Sequence, residues 1–166
     1  MINFKLVSEF QTIHRRPFEF DAPTILDPTN VRPIVDGEYL QLTTAYKMAR
    51  GGNNALAGSP TPDDEATVPS FAYFAERGRY EVQAIQKGPF LYMAPYEADT
   101  LIFDATNGAP GAAIALGAPV TVWDMTLGGI IRRGLSGKIG ASAFIIGYVT
   151  RMPAYNSNWL RFQHLA

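Results

Sequence analysis

Short runs in which apolar and polar residues alternate recur along most of the chain, with turn residues between them. Alternation at every second position marks a strand that buries one face. Glu38-Tyr39-Leu40-Gln41-Leu42 has this pattern after a turn at Pro33-Ile34-Val35-Asp36-Gly37, and Tyr46 to Met48 continues it in a second strand. Further strands are expected at 71–74, 81–85, 90–94, 100–103, 113–116, 120–123, 130–133, 144–150 and 160–164. Their separators are rich in Gly and Pro, which end strands: Arg77-Gly78, Lys87-Gly88-Pro89, Gly108-Ala109-Pro110-Gly111, Gly128-Gly129 and residues 134–140. Residues 94–99 are compatible with a helical turn at a barrel mouth. Short strands with regular turn signals predict an all-β fold, a sandwich or small barrel.

The first 30 residues read differently. Ile2, Phe4 and Leu6 alternate with polar neighbours, and Phe10, Ile13, Phe18 and Phe20 follow at looser spacing, interrupted by His14-Arg15-Arg16 and Pro17. Proline restricts the residue before it to extended conformations, so this segment is expected to be an extended arm rather than a helix. Its aromatic residues have two destinations: the protein's own barrel, as a first strand, or a neighbouring subunit. The expected division is an N-terminal arm, 1–30, and a β-barrel domain, 31–166. Within the latter, about twenty residues at 50–69 lack apolar periodicity and read as a functional or mobile insertion.

Composition narrows the picture. At 166 residues the chain has room for one domain, and with 47% apolar residues it can bury a substantial core. Fifteen Gly and twelve Pro favour turns over long helices. The net charge of −1 supplies no field to steer the chain onto nucleic acid or an anionic membrane, and the pairs Arg15–Arg16 and Arg132–Arg133 read as solvated rims. The absence of cysteine excludes disulfides, thiolate zinc sites, iron–sulfur clusters and cysteine nucleophiles. No run approaches the roughly 18 to 20 apolar residues of a membrane helix, and the N-terminus lacks the pattern of a signal peptide. A soluble protein made in the cytosol is expected.

Catalytic motifs fail on spacing. His14 and His164 belong to no paired-histidine metal motif, so no metal or cofactor is expected. Ser136-Gly137-Lys138 lacks both the earlier glycine of a phosphate-binding loop, where Arg132 stands, and the following Ser or Thr, where Ile139 stands. There is no GxSxG elbow and no three-glycine dinucleotide spacing. Carboxylates are the remaining candidates: Glu97, Asp99 and Asp104, and Glu76 and Glu81 flanking Arg77 and Arg79. Paired carboxylates hydrolyse glycosides only at a suitable separation and with shifted pKa values, and the alternating signs of residues 76–81 satisfy one another locally. Asp104 to Gly108 lacks the repeated oxygen ligands of a calcium loop and reads as a turn. Trp123, Trp159, Tyr148 and Tyr155 are candidates for a carbohydrate platform or for interface anchors, with core packing the commoner fate.

Taken in order, the segments 33–40, Phe71 to Gln83 (FAYFAERGRYEVQ), Tyr96 to Asp104 (YEADTLIFD), 145–150 and Leu160-Arg161-Phe162 resemble the small head decoration, or cement, proteins of tailed bacteriophages. The resemblance covers roughly residues 31–166 and rests on motif order. It implies a small β-barrel or β-tulip domain on the capsid exterior, with the major capsid protein as partner. It also implies self-association, a trimer before a dimer, and an N-terminal segment that reaches the capsid. On that reading Ile2, Phe4, Leu6, Phe10, Ile13, Arg15, Arg16, Phe18 and Phe20 form the capsid-binding arm. Arg77, Arg79, Glu97, Asp99, Trp159 and Arg161 are subunit-interface candidates. The expectation is a non-enzymatic virion protein that cements capsomers against internal DNA pressure. The alternatives are a tail or baseplate component and a carbohydrate-binding module.

Overall fold

Two antiparallel-rich sheets account for every regular element of the computed structural model. It describes residues 3–9, 14–20, 34–42, 44–49, 70–73, 87–92, 95–104, 114–127, 130–140 and 144–165, and no helix occurs among them. In chain order the strands are β1 (Phe4–Glu9), β2 (His14–Phe20), β3 (Tyr39–Leu42), β4 (Lys47–Ala49), β5 (Ser70–Ala72), β6 (Lys87–Tyr92), β7 (Tyr96–Thr100), β8 (Pro119–Leu127), β9 (Ile130–Ser136), β10 (Gly147–Arg151) and β11 (Leu160–His164). Sheet A has the order β1-β7-β11-β10-β8-β9 and is antiparallel throughout. Sheet B has the order β5-β3-β4-β2-β6, with one parallel pair between β2 and β4. The protein is all-β and barrel-like.

Sheet A curls until its far edge meets the chain again. Just after β7, Ile102 accepts a hydrogen bond from the Leu135 N–H, the Asp104 N–H donates to the Leu135 carbonyl, and Phe103 forms a parallel bridge with Leu135. The approach is close because Gly134 carries no side chain: a Cβ there would sit 2.5 Å from the Ile102 carbonyl oxygen. Sheet B also brings its ends together, through the antiparallel bridge between Tyr73 and Phe90. Joining edges in this way removes unpaired strand backbone from solvent.

Period-two alternation distributes the core. Tyr39 and Leu40, neighbours on β3, are both fully buried but on opposite faces. Tyr39 joins Ala72 and Leu91 in the larger cluster, with Phe4, Tyr96, Ala98, Val120, Val122, Leu135, Val149, Leu160 and Phe162 of sheet A. Leu40 joins Ile34, Met48, Tyr73 and Phe90 in a smaller cluster belonging to sheet B. One face of sheet B therefore covers the core of sheet A, and the other lines its own. Phe4, Tyr96 and Phe162 meet edge to face, with ring centroids 6.1–6.4 Å apart, each pair adding about 1 kcal/mol beyond area burial. Burial pushes the Tyr39 and Tyr96 phenols well above their usual value, so both stay neutral inside this core.

The N-terminal segment is stitched into both sheets. β1 pairs along β7, with Phe4 opposite Thr100 and Leu6 opposite Ala98. β2 runs between β4 and β6 in the interior of sheet B. The buried Asp36 carboxylate accepts hydrogen bonds from the Asn3 and Phe4 backbone N–H groups and from the Asn3 side-chain amide. The strands thus do not pair along the expected division between a 1–30 arm and a 31–166 domain. Of the two destinations open to the early aromatic residues, Phe4 takes the protein's own core.

Buried charge ties the sheets as well. Arg132 of β9 lies 3.3 Å from the fully buried Glu38 carboxylate, which also accepts from the Val35 N–H. Arg133, 1% exposed, donates from Nε and Nη2 to Asp124 directly across the β8–β9 hairpin. The solvated rim expected for Arg132–Arg133 is therefore corrected: opposite faces of β9 bury the two guanidiniums, each against a carboxylate. Residues 94–99 are also corrected, because Tyr96–Thr100 is a strand paired on both sides, by β1 and β11.

Candidate binding face on sheet A

The outer face of sheet A follows from the same alternation that fills its core. On β7, Tyr96, Ala98 and Thr100 point inward, which turns Glu97 and Asp99 outward. On β11, Leu160 and Phe162 point inward, leaving Arg161 and Gln163 outside beside the preceding Trp159. Register then sets Lys5, Asp99 and Arg161 in one cross-strand row and Ser8, Glu97 and Gln163 in the next. Two irregularities complete the face. Between Val149 and Arg151 the register slips by one residue, and so does that between Leu6 and Ser8. A bulge sets two residues of one strand against one of its neighbour, so Thr150 and Arg151 both reach the outer surface, and Val7 is exposed on β1.

Asp99 is the centre of the row. Arg161 donates from Nε to Oδ1 at 2.7 Å and from Nη2 to Oδ2 at 3.0 Å, a two-pronged pair. Arg151 donates from Nη2 to both oxygens at 3.1 Å. Burial alone would raise the Asp99 pKa; the hydrogen bond and charge of Arg161, with the charges of Arg151 and Lys5, outweigh it and hold the carboxyl below its usual value. The same pairing raises the Arg161 guanidinium. Beside it, Thr150 donates its hydroxyl to Glu97 at 2.8 Å, and the Lys5 ammonium stands 4.5 Å from the centre of the Trp159 ring. Three cationic side chains thus surround two carboxylates. The double-pronged Arg161–Asp99 pair fixes orientation as well as charge, so these two side chains are set before any partner arrives.

Chemically the arrangement suits recognition better than acid–base work. A glycosidase acid needs a raised pKa, whereas Asp99 is held ionised by two guanidiniums. The tryptophans are also engaged. Trp123 donates its indole N–H to Thr121 Oγ1 and the Lys138 carbonyl, with the Lys138 ammonium 5.4 Å from its ring centre. A sugar platform needs open ring faces, and a lysine stands over each tryptophan. Among the described residues no group of three or more His, Asp or Glu is arranged to hold a metal ion, and no helix is long and apolar enough to cross a membrane.

Of the six interface candidates, Glu97, Asp99, Trp159 and Arg161 come together on this face. Arg77 and Arg79 lie outside the described residues, as do Ile2, Phe10 and Ile13, the strand expected at 81–85 and the 50–69 insertion. Phe4 and Leu6 pack with the main core. Arg15, Arg16, Phe18 and Phe20 belong to β2, whose backbone pairs with β6 along its length and with β4 at Glu19 and Phe20. Lys5, Thr150 and Arg151 are the members that sequence reasoning missed. Lys5 was legible, since it sits between two apolar positions and must face away from them. Arg151 was not, because its outward aim depends on the bulge. Compared with protein-family models, curated proteins and solved structures, the chain matches none.

Proposed function

We propose that the protein is a non-catalytic structural subunit of a tailed-phage particle, bound to the outside of the capsid and cementing adjacent capsomers. The observation that carries this reading is the preorganised outer face of sheet A, where Arg151, Arg161, Trp159 and the exposed Tyr148 lie around a fixed charge network. Arg, Trp and Tyr are the residues that protein–protein interfaces favour and that most often dominate their binding energy. The resemblance to head decoration proteins in segment order supports the choice of partner, and the barrel-like all-β fold agrees with it. The docking surface in this proposal is the sheet face. β1 and β2 are committed to the protein's own sheets, so a free arm is not required.

Cementing needs no chemistry of its own. A subunit that touches several capsid chains binds the assembled shell more tightly than it binds free capsid protein, and it stabilises that shell by linkage. Self-association, with a trimer favoured, multiplies the attachments through effective concentration. The test is to mix purified protein with expanded, undecorated heads. Saturable binding and greater resistance of the heads to heat support the proposal. Absence of binding, with the protein instead recovered in purified tails, refutes it in favour of a tail component.

A further inference from the structure

The Asp99 cluster carries more positive charge than its own carboxylates neutralise. Arg161 uses Nε and Nη2 on Asp99, while Arg151 uses only Nη2. The Nε–H and Nη1 donors of Arg151 make no hydrogen bond among the described residues, and its side chain is 44% exposed. Asp99, only 10% exposed at its side chain, lies beneath the two guanidiniums and shows little of its charge to a partner. Glu97 is engaged by Thr150. What faces outward is thus three cations, Arg151, the partly exposed Arg161 and Lys5, against the one outward carboxylate of Glu97, with Trp159 and Tyr148 at either end. Two guanidiniums sharing one carboxylate repel each other, and a second carboxylate seated on the free edge of Arg151 would relieve that repulsion.

We propose that this face is a seat for an acidic protein segment, one of whose carboxylates completes the Arg151 fork while its chain crosses the Arg151–Arg161 row, with Trp159 on one side and Tyr148 on the other. This deepens the capsid-binding reading by naming the chemistry of the partner surface. A protein is favoured over nucleic acid because the seat offers one forked donor on a chain with net charge −1, not a row of cations spaced along a phosphate backbone. Rim charges of this kind govern association rate and salt dependence, so binding should weaken as salt rises.

The test is a nuclear magnetic resonance titration of the full chain at low salt with a hexaglutamate peptide. Hexalysine and a short DNA duplex serve as comparison probes. Hexaglutamate is expected to shift the Arg151 Nε–H and Trp159 indole signals saturably, with R151A weakening binding by about tenfold and R151K giving an intermediate loss. Asp99 keeps Arg161 in these variants, so the fold is retained; unchanged shifts elsewhere verify it. Failure of hexaglutamate to move these signals overturns the seat, as does a stronger response to DNA. Undecorated heads separate the two readings. If wild-type protein binds heads and R151E binds equally well, the seat is wrong and decoration stands. If hexaglutamate binds at Arg151 but wild-type protein ignores heads, the seat stands and decoration fails.

Discussion

Replacing Asp36 by alanine tests how firmly the N-terminal segment belongs to the fold. The carboxylate is 2% exposed and accepts from the Asn3 N–H at 2.8 Å, the Phe4 N–H at 3.0 Å and Asn3 Nδ2 at 3.2 Å. All three donors lie at the start of β1, and no other strand supplies them. Hydrogen bonds to a charged acceptor are worth about 1.5–3 kcal/mol each, and a buried donor left without a partner costs about 1–3 kcal/mol. The Asn3 side chain recovers water, so the two backbone donors decide the outcome, and a loss of about 3 kcal/mol is expected. That is a large fraction of the roughly 5–15 kcal/mol typical of a whole domain. In urea, with a slope of about 1–3 kcal/mol per molar, the midpoint should fall by about 1–3 M without a change in slope. Asp36→Asn, which keeps one acceptor, should fall between the two proteins. Hydrogen exchange should speed up at Phe4 and Leu6 before the β8–β9 hairpin is affected. An unfolding free energy for D36A within about 0.5 kcal/mol of wild type would refute the reasoning and return β1 to the status of a detachable arm.

Four further outcomes follow from the geometry. Gly147→Ala would drive a Cβ to 2.1 Å from the Gln163 carbonyl oxygen, across the β10–β11 pair. Because backbone on the neighbouring strand must move, thermal unfolding should reveal a loss above about 2 kcal/mol. Asp99 has a folded-state pKa below its unfolded value, so its stabilising contribution is fully present above about pH 4 and is lost as pH falls through the folded value. Denaturation measured from pH 5 downward should therefore have a shallower slope in Asp99→Asn than in wild type. Asp124→Ala strands the buried Arg133 guanidinium and should cost about 3–5 kcal/mol. Lys47→Ala removes an exposed partner of Glu19, 3.8 Å away, and should shift the melting transition by about 0.5 kcal/mol.

Much of the strand pattern was legible because alternation and burial have the same cause. Leu160–His164 falls where its alternation put it, and Tyr39–Leu42 begins one residue later than expected. Residues 94–99 misled because Glu, Ala and Asp after a proline suit a first helical turn as well as a strand. The inward positions of Tyr96 and Ala98, paired on both flanks, decided for the strand. Residues 113–116 are an apolar run, yet Ile114 and its successors lead into a turn, where Leu116 is exposed and the Ala118 N–H donates back to Ala115. Local composition cannot register such long-range pairing. The same limit hid the buried partners of Arg132 and Arg133, which become neighbours of carboxylates only once the hairpin and the two sheets assemble. Four of the binding-face residues, Glu97, Asp99, Trp159 and Arg161, were named as interface candidates on the resemblance, and the alternation of β7 and β11 is what turns them to one face. The bulge that brings Thr150 and Arg151 alongside them has no signature of its own.

The central claim is that this protein docks on a capsid lattice through the outer face of sheet A. Cryo-electron microscopy of expanded heads saturated with the protein tests it most directly. The predicted map has density for the barrel on the outer capsid surface, with Arg151, Arg161 and Trp159 turned toward an acidic stretch of the major capsid protein. A map without added density, or one in which that face points to solvent while another surface makes the attachment, would contradict it.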